Sequence, residues 1–137
     1  MWGSSITDKR LRRNLLANIL VVDDEPGSAR LLEYMLKRQN HTMVSAENGY
    51  QALERLNEQG FDLLITDIMM PGMDGLTLIE EVRMNRQITD MPIIVITAYG
   101  FLNISQEVMS KGATHILTQP YSSKELSEAV FSCLNNP

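Results

Sequence analysis

One cysteine, Cys133, leaves nothing within the chain to pair with, so no intrachain disulfide framework exists. A reducing cytoplasm fits that usage. Basic residues are scarce, with 12 Lys and Arg against 17 Asp and Glu and a net charge of −5. That surplus argues against a general nucleic-acid or anionic-membrane binder. No apolar run is long enough to cross a membrane. Internal repeats and low-complexity stretches are also missing. Arg12, Arg13 and the apolar residues that follow imitate a signal peptide. They run straight into Asp23-Asp24-Glu25 with no small-residue cleavage site, so they read as a linker entering a first strand.

What is there describes one soluble globular domain: 137 residues, 44% hydrophobic and 21% charged. Residues 1–17 stand apart. They carry Lys9, Arg10, Arg12 and Arg13 against Asp8, a net of +3, whereas residues 18–137 hold 8 basic and 16 acidic side chains, a net of −8. The expected division is therefore a basic arm or cloning remnant over 1–17 and a domain over 18–137.

The domain reads as strand then helix, five times over, with short connections. Apolar runs at 19–22, 63–65 and 93–96 are uninterrupted, as in strands buried on both faces. Residues 42–46 are less apolar and belong nearer a sheet edge, and 114–118 supply a fifth strand. The helices announce themselves through Pro26 in a first turn, Asn48 as a cap, Asp74-Gly75 as an opening, and a capping box of Ser122 and Glu125. Residues Leu126, Ala129, Val130, Cys133 and Leu134 form the inner face of the last helix. Such an order argues for an α/β fold with a parallel sheet and helices on both faces.

In an open α/β sheet, ligands and chemistry gather at the carboxyl ends of the strands. Here that rim collects Asp23 and Asp24 from the first strand, Asp67 from the third, Thr97 from the fourth and Gln119 from the fifth. A carboxylate at the mouth of a buried strand is costly unless solvated, paired or metal-bound. Three of them repel one another, and a hard divalent cation such as Mg²⁺ is their natural partner. The plainer readings are an Asp67 that only caps its loop and a chance acidic rim. Neither explains why a Thr and acidic residues recur at strand ends. Other candidates read plainly: His41 and His115 as surface or loop residues, Met69, Met70 and Met73 as loop packing, Cys133 as core.

The motifs VVDDE at 21–25, TDIMMPGMDG at 66–75, IIVITA at 93–98 and GATHILTQPY at 112–121 stand in order at the strand ends. Together they resemble the receiver domains of two-component response regulators, over residues 18–135. The resemblance implies a doubly wound, flavodoxin-like five-stranded sheet in the order 2-1-3-4-5. It implies that Asp67 accepts a phosphoryl group from a histidine kinase or histidine phosphotransfer protein. It further implies Mg²⁺ held by Asp24, Asp67 and the Met69 carbonyl, with Asp23 acting through water, and a Thr97 hydroxyl that bonds the phosphoryl oxygen. Such a chain is a cytoplasmic signalling switch and no metabolic enzyme, at most phosphorylating itself from small donors and losing the group again. It would touch neither nucleic acid nor membrane directly. An effector domain or dimer contact would use the face of Tyr99, Ile116 and Tyr121.

Three positions depart from the family. Gln119 stands where a Lys is near-universal, Ile116 where an aromatic switch residue is usual, and Tyr121 where Phe is usual. Gln119 keeps open a degenerate receiver that binds partners without phosphorylation. A phosphatase of the haloacid-dehalogenase kind also uses an aspartate and Mg²⁺. It sets its two aspartates on the first strand with one residue between them, whereas Asp23 and Asp24 are adjacent.

Overall fold

The computed structural model describes residues 17–98 and 104–135. Its elements are β1 (Asn18–Val22), α1 (Pro26–Arg38), β2 (Thr42–Ala46), α2 (Gly49–Glu58), β3 (Leu63–Asp67), α3 (Gly75–Met84), β4 (Ile93–Thr97), α4 (Ser105–Lys111), β5 (His115–Thr118) and α5 (Ser123–Asn135). The five strands form one parallel sheet in the order β2-β1-β3-β4-β5, in register from Val22 opposite Thr66 to Thr97 opposite Thr118. This is the doubly wound order that the motifs imply.

The local signals act where the sequence puts them. Pro26 opens α1. The Gln51 N–H donates to Asn48 Oδ1 at 2.8 Å and the Thr77 N–H to Asp74 Oδ1 at 2.9 Å. At α5 the capping box is reciprocal. The Glu125 N–H donates to Ser122 Oγ at 3.0 Å and the Ser122 N–H to Glu125 Oε1 at 2.9 Å. Each contact satisfies a backbone donor that a helix start leaves open.

Hydrophobic clusters cover both faces of the sheet. On one face Ile19, Val21, Ile65 and Ile94 meet Leu32 and Leu36 of α1 and Leu126, Val130 and Cys133 of α5. On the other, Leu20, Leu64, Ile93 and Val95 meet Leu78, Ile79 and Val82 of α3 and Val108 of α4. Alternate residues of one strand thus serve opposite layers, which is why β1, β3 and β4 read as unbroken apolar runs.

Two observations differ from the expectation. Ala17, placed in the arm, is fully buried in the first cluster, and its carbonyl accepts the Thr42 N–H at 2.9 Å. The folded part therefore takes in one more residue. His41 occupies the loop expected of it but is buried, and its Nδ1 accepts the Ala17 N–H at 3.3 Å. Among the described residues, no helix is long and apolar enough to cross a membrane.

Candidate functional site

The parallel sheet sends every strand's carboxyl end to one rim. Asp67 is the last residue of β3 and Thr97 the last of β4, while Asp23 and Asp24 follow β1 directly. Each of Asp23, Asp24 and Asp67 offers a carboxylate oxygen, and these oxygens lie within 4.8 Å of one another. All the carboxylates expected at the rim are thus brought together.

Their electrostatics are unbalanced. Asp23 is pushed up to about 6, first by burial and then by the charges of Asp67 and Asp24. The Glu25 N–H, donating to Asp23 Oδ1 at 2.9 Å, opposes that rise. Burial likewise raises the pKa of Asp67, with Asp24 and Glu25 adding to it, while the N–H groups of Met69 and Ile68 stabilise the charged form. The Met69 N–H reaches Asp67 Oδ1 at 3.3 Å. Among the described residues, no ion pair joins a cation to these three carboxylates. An oxygen-rich, anionic donor set of this kind fits a hard divalent cation.

Thr97 faces the opposite problem. It is 2% exposed, and its Oγ1 is buried without a hydrogen-bond partner among the described residues. A buried hydroxyl in that state is costly, and it can donate to an oxygen arriving at the rim. Its backbone is fixed, since the Gln119 N–H donates to the Thr97 carbonyl at 2.8 Å. Gln119 therefore stands beside β4 at the end of β5, at the position expected of the Lys. Tyr121 is half-buried, and its hydroxyl is pushed up to about 12 by burial and by the charge of Asp23. Ile116 is half-buried against the second hydrophobic cluster. Tyr99 lies outside the described residues.

The β3–α3 loop is shaped by a residue that composition alone does not mark. The Gly75 N–H donates to the Ile68 carbonyl at 2.9 Å, tying the loop's two ends. A Cβ at Gly75 would stand 2.5 Å from the Asp67 carbonyl oxygen, so only glycine permits the approach. The pair Asp74-Gly75 signals a helix opening, and the backbone contact behind it carries no sequence signal.

A family model described as the response regulator receiver domain matches residues 19–131. The chain belongs to the receiver-domain family. As a receiver domain it has the phosphoacceptor role in two-component signalling, and receiver domains are signalling switches. The family match leaves no ground for the haloacid-dehalogenase reading. The domain is 32% identical over 112 residues to sporulation initiation phosphotransferase F of Bacillus subtilis (strain 168), covering 82% of this chain and 89% of that protein. It is 32% identical over 126 residues to the sensor protein GacS of Pseudomonas syringae pv. syringae, covering 87% of this chain but 14% of that protein's length. Among solved structures it is similar to the chemotaxis response regulator CheY4 of Vibrio cholerae. The TM-score there is 0.79 at 29% identity, over 84% of this chain and 96% of that one.

Proposed function

We propose that Asp67 of this receiver domain is the phosphoacceptor and that Asp24, Asp67 and the Met69 carbonyl hold Mg²⁺, with Asp23 acting through water. The observation that carries this reading is the convergence of three carboxylates and one orphaned hydroxyl on a single rim. A carboxylate is a feasible nucleophile for covalent phosphoryl transfer. An Asp67 carboxylate oxygen attacks phosphorus, the P–N bond of the donor phosphohistidine breaks, and the imidazole departs with the electron pair and takes up a proton. Bound at the three carboxylates, Mg²⁺ supplies charge neutralisation and orientation, which such transfer needs more than acid–base machinery. Met69 and Ile68 donate backbone N–H groups to the Asp67 carboxylate and favour its charged form against the burial that raises its pKa. Thr97 Oγ1 gains its missing partner by donating to a phosphoryl oxygen. Gln119 donates a neutral hydrogen bond there and supplies no charge.

The donor in this proposal is a histidine kinase or phosphotransfer protein, in a cytoplasmic setting. Self-phosphorylation from small donors and slow loss of the group belong to it too. The output contact, to an effector domain or a second copy, would use the face of Tyr99, Ile116 and Tyr121. A second reading, a receiver that binds partners without phosphorylation, draws on Gln119 alone. It leaves unexplained why all three carboxylates and Thr97 are kept together. Acetyl phosphate with Mg²⁺ should add one acid-stable, base-labile phosphoryl group by intact mass, and Asp67→Asn should abolish it. Equal labelling of that variant would overturn the assignment. Failure of wild type to label at all would favour the second reading.

A further inference from the structure

The loop that carries Met69 is tied at both ends, by Asp67 at the end of β3 and by the bond from Gly75 to Ile68. Its flank rests on a different strand-helix unit. The first residue of α2, Gly49, is buried against Met73. A Cβ there would stand 2.7 Å from Met73 Sδ, 2.8 Å from Cγ and 2.9 Å from Cβ. The next residue, Tyr50, lays its ring against Gly72, where a Cβ would lie 3.3 Å from Tyr50 Cε2. Two successive residues of α2 therefore touch two successive residues of the loop.

We propose that Gly49 is a positioning residue for the acidic site, acting through Met73 on the β3–α3 loop. This inference rests on the reading of Asp67 and Met69 given above. The reasoning turns on which atom is crowded. A clash with a methionine's far end relaxes by rotation, but Cβ is fixed by the backbone and cannot rotate away. A side chain at position 49 must therefore push the backbones at 49 and 73 apart. A short loop closed by the Gly75 bond cannot absorb that movement at one residue. The movement passes to Met69, whose N–H bonds Asp67 and whose carbonyl is an assigned ligand. Supports behind a metal ligand are worth about 10–100-fold in affinity.

The test compares Gly49→Ala, Met73→Ala and the double variant with wild type. In the metal-free protein, Gly49→Ala should shift the Met69 and Gly75 amide resonances. It should also weaken Mg²⁺ about tenfold by calorimetry and slow labelling by acetyl phosphate. Met73→Ala leaves space over Gly49 and should weaken Mg²⁺ as well. The double variant removes Sδ and Cγ but keeps the Cβ at 73, so it should retain the weakened Mg²⁺ binding and the amide shifts of Gly49→Ala. Wild-type Mg²⁺ affinity in Gly49→Ala would overturn the proposal, as would a double variant restored to wild-type affinity and shifts, since the crowding would then lie in the movable end of Met73. If Gly49→Ala does not fold, Met73→Ala with unchanged shifts and affinity overturns it equally. Asp67→Asn keeps the two readings apart. If that variant loses labelling while Gly49→Ala behaves as wild type, only the present inference fails.

Discussion

Thr97→Val should make the unphosphorylated domain more stable while disabling its response. The substitution keeps the β-branched shape that suits the end of β4 and replaces only the hydroxyl. In the folded state that hydroxyl is buried, and no group among the described residues receives or donates a hydrogen bond to it. Leaving such a group unpaired costs about 1–3 kcal/mol, which the valine removes. A domain of this size unfolds with an entropy of roughly 0.3 kcal/mol per degree, so the gain corresponds to a rise in Tm of about 3–10 °C. Thr97→Ser is the control. It keeps the orphaned hydroxyl and loses a buried methyl, so its Tm should fall by a few degrees.

Thermal unfolding followed by circular dichroism reads both variants without Mg²⁺. The second half of the prediction uses beryllofluoride as a phosphoryl mimic. Wild type and Thr97→Ser should respond at the Gln119 and Tyr121 amides, and Thr97→Val should not. A valine variant that melts at or below wild type would mean that the hydroxyl is satisfied after all. The reasoning about why a polar group sits there would then collapse. If the prediction holds, the rim keeps a costly group for the moment when a phosphoryl oxygen arrives, a stability cost of the kind functional sites carry.

Other perturbations test the neighbouring groups. Mg²⁺ should raise the melting temperature by mass action, about 2.7 kcal/mol at one hundred times Kd. Asp24→Ala should remove most of that rise, and an equal rise in the variant would place the metal elsewhere. Because Asp23 titrates near 6, protons should compete with the metal, and Mg²⁺ affinity should drop as pH falls through that value; a flat profile contradicts it. His41 has a pKa lowered by burial from its ordinary 6.5, so the unfolded chain binds its proton first on acidification. Its stabilising contribution is present above pH 6.5 and is lost as pH falls toward the folded value. The acid-side decline in Tm should therefore be shallower in His41→Asn than in wild type; parallel declines would show that His41 is not the group responsible. Gln119→Lys should enlarge the beryllofluoride response at Thr97 and Tyr121, since a neutral contact of about 0.5–1.5 kcal/mol becomes a charge-assisted one of about 1.5–3 kcal/mol. A wild-type response already as large as that of the lysine variant would show that the cation is dispensable here.

How far the sequence could be read follows from what periodicity reports. An unbroken apolar run such as Leu63, Leu64 and Ile65 says that both faces are covered, and the two hydrophobic layers cover them. A cap such as Asn48 or Ser122 acts within three residues, so its partner is visible beside it. Together with the rule that parallel strands share a carboxyl rim, these signals bring Asp23, Asp24, Asp67, Thr97 and Gln119 to one edge of the sheet before any coordinates are known. Contacts between separate strand-helix units carry no such signal. His41 looks like a loop residue because its partner, the Ala17 amide, lies 24 positions away. Arg83 lies in the last turn of α3, where the sequence marks no partner for it. Its guanidinium bonds the carbonyls of Gly112 at 2.7 and 2.9 Å, Thr89 at 2.9 Å and Met91 at 2.6 Å. Gly49 looks like an ordinary helix start until Met73 is seen against it. Thr97 is the sharpest case. Its place at the rim follows from the strand pattern, but its orphaned hydroxyl depends on what its described neighbours fail to offer. That is a property of the packed structure, and no local run of residues encodes it.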